Sequence, residues 1–189
     1  MKKSLGAKTL ACPAPVWIVC SYDEAGKPNA MAASWAGTAC SQPPCLSVSL
    51  RKATYSYASL VARKAFTVCV PSEKHLAEAD YFGVASGRNT DKFADTGLTA
   101  VRSELVDAPY VAEFPLVLEC KLVHTAELGL HTQFVGEIVN VLADEEVLSD
   151  GALDIVKIAP FVYSPGTRSY YGVGPKLSDG FSTASRFKK

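Results

Sequence analysis

Short segments in which apolar and polar residues alternate dominate the chain, and this period of two predicts β-strands rather than long helices. The clearest example is Cys45 to Arg51, where leucine or valine occupies every second position with serine between them. Pro15 to Tyr22 and Ala65 to Val70 are short apolar runs that end at turn residues or proline, so each predicts a further strand. Asn29 to Thr38 is rich in alanine, serine and glycine without a clear period, and it predicts a strand that gives way to a loop.

Two longer strands follow Phe114, and the sequence from Glu127 to Leu130 predicts a hairpin turn between them because it contains Gly129. Residues 23–29, with a glycine and a proline, predict a second hairpin after the strand that ends at Tyr22. Each long strand has two predicted faces. In the first strand, one face carries Leu116, Leu118, Cys120, Leu122 and His124, and the other carries Glu119 and Lys121. In the second strand, one face carries His131, Gln133, Val135 and Glu137, and the other carries Thr132, Phe134 and Ile138.

Two segments predict helices. Thr54 to Lys64 begins with a residue that can serve as the N-cap and carries apolar side chains on one face. The second helix is predicted from Ser72, a second capping residue, to about Val84. Ile155 to Val162 is apolar and predicts the last strand.

Six or seven strands around a long central hairpin predict a mainly β fold, an antiparallel barrel with a few helices. The length of 189 residues fits one domain, residues 1–189, in which residues 164–189 form a tail rich in glycine, serine and tyrosine that packs on a neighbour or is mobile. Strands do not alternate with long helices and there is no G-x-G-x-x-G, so a bound dinucleotide would not lie on a Rossmann fold.

The charge balance excludes some partners. Lysine plus arginine number 19, as do aspartate plus glutamate, so the formal net charge is zero and gives no general attraction for nucleic acid or for an anionic membrane. No apolar run approaches the roughly 20 residues of a membrane span. Lys8 interrupts the apolar N-terminal stretch and prolines follow it, which argues against a signal peptide, so we predict a cytoplasmic protein.

Six cysteines are present, and without a secretion signal we predict that they are free thiols. Cys40 and Cys45 are five residues apart rather than in a C-x-x-C motif, and no pair has the spacing of zinc ligands. We therefore predict neither a metal site nor a thiol redox centre.

Three polar clusters follow predicted strands or helices and could carry chemistry. Asn29 to Trp35 places small residues, which allow close backbone approach, before a tryptophan that either stacks on a flat ligand or belongs to the core. Arg51 to Ser56 puts two cations at a helix start, which is either a phosphate cradle or an ordinary charged loop. Ser86 to Phe93 is a dense polar loop that is either surface or site, and His131 is either structural or functional.

In this order and at this spacing, the clusters resemble the flavin reductase-like family of FMN-binding split barrels. The resemblance runs from about Cys12 to Tyr171. It implies a split β-barrel and a homodimer that holds FMN noncovalently between its subunits, with NAD(P)H or a redox partner protein as a further partner. Its sequence marks are Asn29-Ala30-Met31-Ala32-Ala33-Ser34-Trp35, Pro43 to Arg51, Ser86-Gly87-Arg88 with Asp91-Lys92-Phe93, and Gly129-Leu130-His131 ahead of Phe134 to Glu137.

The resemblance also implies residue roles. Lys92 and His131 would stand near the flavin ring as the catalytic pair, because a cation beside N1 and the C2 carbonyl stabilises the negative charge of reduced flavin. The ring would be lined by Asn29, Ala33, Ser34 and Trp35, and the phosphate and ribityl chain would be held by Arg51, Lys52, Tyr55 and Ser56, with Ser49 and Ser86 as further cofactor-binding residues.

Three functions remain open on these grounds. The first is a redox protein that transfers electrons through FMN or reduces flavin with NAD(P)H. The second is a flavin-binding module for storage or sensing without turnover. The third is a relative that reduces some other small molecule.

Overall fold

The computed structural model describes residues 1–187, and most of its regular structure is strand. The strands are β1 (Ala14–Pro15), β2 (Trp17–Tyr22), β3 (Pro28–Ala33), β4 (Ala36–Ser41), β5 (Pro44–Arg51), β6 (Ala65–Val70), β7 (Ala100–Arg102), β8 (Pro109–Val111), β9 (Leu116–Leu128), β10 (His131–Ala143), β11 (Leu148–Ser149), β12 (Ala152–Leu153), β13 (Phe161–Ser164) and β14 (Ser169–Gly172). The α-helices are α1 (Tyr55–Arg63), α2 (Leu76–Val84), α3 (Lys92–Thr96) and α4 (Ile155–Ile158), and short 3-10 turns cover Glu73–His75, Glu145–Val147 and Thr183–Phe187.

Seven strands form one antiparallel sheet in the order β3-β2-β6-β9-β10-β5-β4. The sheet curls so that β3, at one end of this order, also contacts β5 near the other end. The prediction of a mainly β, antiparallel fold with a few helices is confirmed. Both predicted hairpins are present, as β2–β3 and as the long β9–β10 pair.

The core consists mainly of two apolar clusters. One lies inside the curled sheet and is built on Phe66, Phe134 and Leu60 of α1. The other lies between the sheet and α2, and it contains Phe82 and Phe114. These clusters fix the start of α1 and the end of α2 relative to β3, which is where the candidate site is found.

The segment predicted as one strand giving way to a loop is in fact two strands. β3 ends at Ala33, the chain bends at Ser34 and Trp35, and β4 follows. Among the described residues, β4 pairs with β5 and lies at the edge of the sheet. An edge strand needs no regular apolar alternation, which explains why its sequence resembled a loop.

The prediction of a last strand over residues 155–162 was wrong for its first half. Asp154 caps a short helix, α4, because its carboxylate accepts from the amides of Val156 and Lys157. Ala159 then adopts a left-handed conformation and ends the helix, and β13 begins only at Phe161.

Part of the predicted tail is also regular structure. β14 pairs with β13, which in turn pairs with β1, so residues 169–172 complete a three-stranded sheet. Of the predicted tail, residues 188 and 189 lie outside the described residues.

Glu119, which was predicted on the strand face opposite Leu118 and Cys120, is buried. Its carboxylate accepts hydrogen bonds from the Ser103 hydroxyl and, at 2.7 Å, from the Asn140 side-chain amide. The loop between β7 and β8 supplies Ser103 and covers this face, a long-range contact that the local alternation could not indicate.

Candidate functional site

A pocket of about 160 Å³ opens where the start of α1 meets β3 and the loop after α2. It combines backbone and small side chains with two cations. Its lining residues are Asn29, Met31, Ala32, Ala53, Thr54, Tyr55, Ser56, Phe82, Gly83, Ala85, Ser86, Gly87, Arg88 and Lys92.

The start of α1 leaves backbone N–H groups without a side-chain cap. Thr54 is the N-cap residue, as predicted, but its hydroxyl donates to the Arg51 carbonyl at 2.8 Å and caps no amide of the helix. Ser56, in the first turn, instead accepts a 2.8 Å hydrogen bond from the side-chain amide of buried Asn29. Uncapped first-turn amides and the positive end of the helix dipole favour an anion at this wall.

Arg88 brings a cation to the same wall, although the sequence assigned it no role. Its guanidinium donates to the Ala53 carbonyl at 2.8 Å and lies over the Tyr55 ring, 5.9 Å from the centroid. Tyr55 in turn donates to Asp23 at 2.7 Å, and this hydrogen bond raises the pKa of the Tyr55 phenol. Arg88 belongs to the Ser86-Gly87-Arg88 motif, but no sequence signal predicts which group an exposed arginine in a polar loop will contact.

Arg51 and Lys52, the predicted phosphate-binding cations, do not line the pocket. Lys52 forms a 2.8 Å ion pair with Glu127, and that hydrogen bond raises the pKa of Lys52. Arg51 lies exposed at the end of β5, opposite His131 in the register with β10. Of the predicted cradle, the structure brings Tyr55 and Ser56 to the pocket wall and leaves the two cations outside it.

Lys92 lines the pocket as a buried ammonium group. It begins α3, which the sequence had assigned to a polar loop, and it is only 4% exposed. The ammonium donates to the carbonyls of Ala30 at 2.8 Å and of Phe82 at 3.0 Å, which ties α3 to β3 and α2. Burial lowers the pKa of Lys92 to about 8.

The Lys92 site predicts a stability that depends on pH. The pKa is about 8 in the folded chain and ordinarily 10.5, so between these values the unfolded chain binds the proton more tightly. The free energy of unfolding is therefore expected to rise with pH across this window, relative to a Lys92→Met variant. Burial raises the pKa of the neighbouring Cys20, which stays a neutral thiol. Urea unfolding of both proteins at pH 7.5, 9 and 10 tests this, and a constant difference would contradict it.

Gly87 is packed too closely for any side chain. A Cβ atom there would collide with Oδ1 of Asn29 and would lie 2.6 Å from Cδ1 of Tyr55. Ser86, beside it, lines the pocket, and its carbonyl accepts from the Thr90 hydroxyl. The loop after α2 therefore presses its backbone against the start of α1.

Trp35 stands at the bend between β3 and β4 and is not a core residue, since its side chain is 42% exposed. Its ring is parallel to that of His131, with an interplanar angle of 4° and centroids 6.4 Å apart. With Ser34 and Ala36 it lines a second pocket, of about 320 Å³, whose other walls come from residues between Thr9 and Pro15 and from Pro165. Trp35 follows Ala32, a residue of the first pocket, by three residues, so their Cα atoms are at most about 11 Å apart.

The remaining predicted residues lie near Trp35 but line neither pocket. Ala33 packs its side chain into the core inside the sheet. Ser49 donates its backbone N–H to the Trp35 carbonyl at 2.8 Å, which fixes the bend against β5. His131 opens β10 and is half-buried.

Other kinds of site are absent from the part of the chain that the structure describes. Within residues 1–187, histidine, cysteine, aspartate and glutamate nowhere gather in a group that could hold a metal ion. In that same range, no helix has the length and apolar character needed to cross a membrane.

Comparisons with known proteins match most of the chain. A family model described as a flavin reductase like domain matches residues 9–171. The structure of flavoredoxin from Desulfovibrio vulgaris (Miyazaki F) is 54% identical, with 97% of this chain and 100% of that chain covered and a TM-score of 0.93. Flavoredoxin from Methanosarcina acetivorans is 28% identical, with both chains fully covered (100%) and a TM-score of 0.92. A high molecular weight rubredoxin of Moorella thermoacetica is 30% identical over 149 residues, which are 75% of this chain and 57% of that protein.

Proposed function

The chain belongs to the flavin reductase-like domain family, and from that premise we propose that it binds FMN noncovalently and transfers electrons through it. The observation that carries the proposal is a pocket in which the uncapped start of α1 lies beside Arg88. The exposed ring of Trp35 is only three residues along the chain from Ala32, which lines this pocket. Bound FMN would supply the redox chemistry, and the protein would supply binding, orientation and charge.

The polar end of the pocket fits a phosphate and a polyol chain. The first-turn amides of α1 and the Arg88 guanidinium offer hydrogen-bond donors and positive charge to a phosphate. The Asn29 amide and the Ser56 hydroxyl, already bonded to each other, offer partners for the hydroxyls of a ribityl chain.

The ring end of the site fits a flat heterocycle. The exposed face of Trp35 can stack on an aromatic ring, and His131 lies parallel to it. Lys92 places a buried positive charge in the wall of the first pocket, where it would favour the reduced, more negative form of a bound flavin.

A second copy of the chain would complete the site. The first pocket, of about 160 Å³, is smaller than the roughly 300–1,000 Å³ that encloses a typical small organic ligand. One chain therefore covers only part of FMN, and we propose that a homodimer covers the rest. We also propose a cytoplasmic location, because the six cysteines are free thiols, which a reducing compartment maintains.

Within this function we favour an electron carrier that exchanges electrons with a redox partner protein. The 54% identity to a flavoredoxin over nearly the whole chain supports this role, and the relationship to a rubredoxin-named protein is consistent with it. Reduction of flavin by NAD(P)H is the alternative, and the family description favours it.

The visible absorbance of the purified protein, titrated anaerobically with NADH and then NADPH, tests the proposal. A yellow protein that a reduced carrier protein bleaches and that neither nucleotide bleaches supports electron transfer. Rapid bleaching by either nucleotide would replace this role with flavin reduction. A flavin that only dithionite bleaches would indicate a storage or sensing module, and a protein that takes up no FMN would overturn the proposal.

Arg88→Ala is expected to weaken FMN binding by about 10- to 100-fold, because a hydrogen bond to a charged group contributes roughly 1.5–3 kcal/mol. Riboflavin, which lacks the phosphate, should lose less than about threefold by the same reasoning. Isothermal titration with both ligands measures this. Arg51→Ala is the matched control, since Arg51 is exposed but does not line the pocket. A phosphate-specific loss in Arg51→Ala and none in Arg88→Ala would restore the assignment made from the sequence.

A further inference from the structure

Two cysteines face each other across the hairpin formed by β4 and β5. Cys40 is paired directly with Cys45 in the strand register, and Ser41 opposite Pro44 closes the two-residue turn beyond them. Both are free thiols. Their spacing in the sequence matches no metal or redox motif, and it is the hairpin that makes them neighbours.

The backbone geometry of this pair suits a disulfide. Directly opposed residues of an antiparallel pair have Cα atoms about 4.5 or 5.5 Å apart, depending on the type of pair. A disulfide requires a Cα separation of about 4.4–6.8 Å, so either type falls within the range. The Cys40 thiol now donates to the Gln42 carbonyl at 3.4 Å, and a side-chain rotation would turn it toward Cys45.

The two thiols differ in access to solvent. Cys40 is exposed, whereas Cys45 is only 5% exposed. Burial raises the pKa of Cys45, and the nearby Cys40 and Glu137 raise it further. Cys45 is therefore held mainly as a neutral, largely buried thiol, next to the solvent-exposed thiol of Cys40.

A second cysteine pair, Cys20 and Cys69, lacks both the direct opposition and the solvent access of Cys40 and Cys45. The sulfurs of Cys20 and Cys69 are 4.0 Å apart, yet Cys69 is paired with Ile18, so the two cysteines are diagonal neighbours. Diagonal residues lie about 7–8 Å apart, at or beyond the limit for a disulfide without backbone movement. Both thiols are also fully buried, so an oxidant in solution has no access to them.

We propose that Cys40 and Cys45 form a reversible disulfide within one chain when the protein meets a peroxide. The Cys40 sulfur attacks one peroxide oxygen and the O–O bond breaks, which leaves a sulfenic acid on Cys40 and releases one water. The Cys45 sulfur then attacks the Cys40 sulfur, the S–O bond breaks, and a second water carries away the oxygen and the Cys45 proton. Two thiols are oxidised by two electrons, and one hydrogen peroxide is reduced to two waters.

The site is independent of the proposed FMN function, because neither cysteine lines the pockets at Asn29 or Trp35. The disulfide would tie the edge strand β4 to β5 a few residues after the bend at Trp35.

The experiment counts thiols in the full chain before and after hydrogen peroxide, by alkylation in denaturant and mass spectrometry. The wild type is expected to fall from six alkylated thiols to four, with the loss of two hydrogens and no added oxygen, and dithiothreitol should restore all six. Cys40→Ser and Cys45→Ala should each abolish this loss. Cys12→Ser, which removes another exposed cysteine, should leave it unchanged.

Cys40→Ser changes an exposed position and keeps the test valid if the buried Cys45→Ala does not fold. Retention of all six thiols in the oxidised wild type would overturn the proposal. So would a disulfide that still forms in Cys40→Ser, or a covalent dimer joined through Cys40.

Discussion

Replacing Lys92 with methionine is expected to lower the reduction potential of the bound FMN and to weaken its binding. Methionine keeps most of the length of the side chain but removes the charge that Lys92 places in the pocket wall. Reduced flavin is the more negative form, so it should lose more affinity than oxidised flavin does. Each tenfold difference between these losses lowers a two-electron potential by about 30 mV. We expect a decrease of about 30–60 mV, measured by anaerobic titration with a reference dye.

The same substitution is expected to reduce the free energy of unfolding by about 2 kcal/mol. Buried carbonyls of Ala30 and Phe82 would each lose a donor, at roughly 1–3 kcal/mol apiece. Removal of a buried charge offsets part of this loss, since burial already lowers the pKa of Lys92 to about 8.

Lys27→Met is the matched control for Lys92→Met. Lys27 is a nearby lysine whose ammonium group forms an exposed ion pair with Asp91, at 3.2 Å, and exposed ion pairs contribute little to stability. Neither potential nor stability should change measurably in this variant. If the Lys92→Met variant still binds FMN and its reduction potential is unchanged, Lys92 stabilises the fold and does not act on the flavin ring.

Local sequence signals were sufficient where an element's own residues determine it. β6 has the predicted bounds because an apolar run ends at a proline, and α1 begins where Thr54 predicted it. They failed where tertiary contacts decide the structure. β4 is a strand only because β5 provides a partner, and Glu119 is buried only because a distant loop covers it.

The pocket contains some of the predicted site residues and not others. Tyr55, Ser56 and the cation Lys92 line it, whereas Arg51 and Lys52 do not. The sequence could not show that Glu127, far along the chain, would pair with Lys52. Nor could it show that Arg88 would reach back to the Ala53 carbonyl, because a flexible exposed side chain has no preferred partner in sequence.

The opposition of Cys40 and Cys45 shows a similar limit. It requires a turn of two residues, and a turn one residue longer or shorter would shift which residues are paired. The strand pair also has an irregularity between Thr38 and Cys40, so the register beyond the cysteines does not follow simple counting.

Gly87→Ala is expected to weaken FMN binding at least tenfold. The new methyl group would collide with Oδ1 of Asn29 and lie 2.6 Å from the Tyr55 ring, and neither side chain moves freely. Asn29 is hydrogen-bonded to Ser56, and Tyr55 is hydrogen-bonded to Asp23. Overpacking of this kind typically costs about 1–3 kcal/mol, which urea unfolding would detect. Titration of the folded variant with FMN measures the loss of affinity.

Gly83→Ala separates this effect from the mere addition of a methyl group to the pocket. Gly83 lines the same pocket, but its added Cβ would meet only the Ala32 methyl, at 3.3 Å, and it lies within α2. The 3.3 Å contact requires a shift of a few tenths of an ångström, and the preference of a helix for alanine over glycine, about 1 kcal/mol, offsets its cost. We therefore expect a stability within about 1 kcal/mol of the wild type and normal FMN binding. Normal binding in Gly87→Ala would place the loop after α2 outside the flavin site. Equal losses in both variants would mean that the pocket tolerates no added volume, and the close approach of Gly87 to Asn29 and Tyr55 would then have no special role.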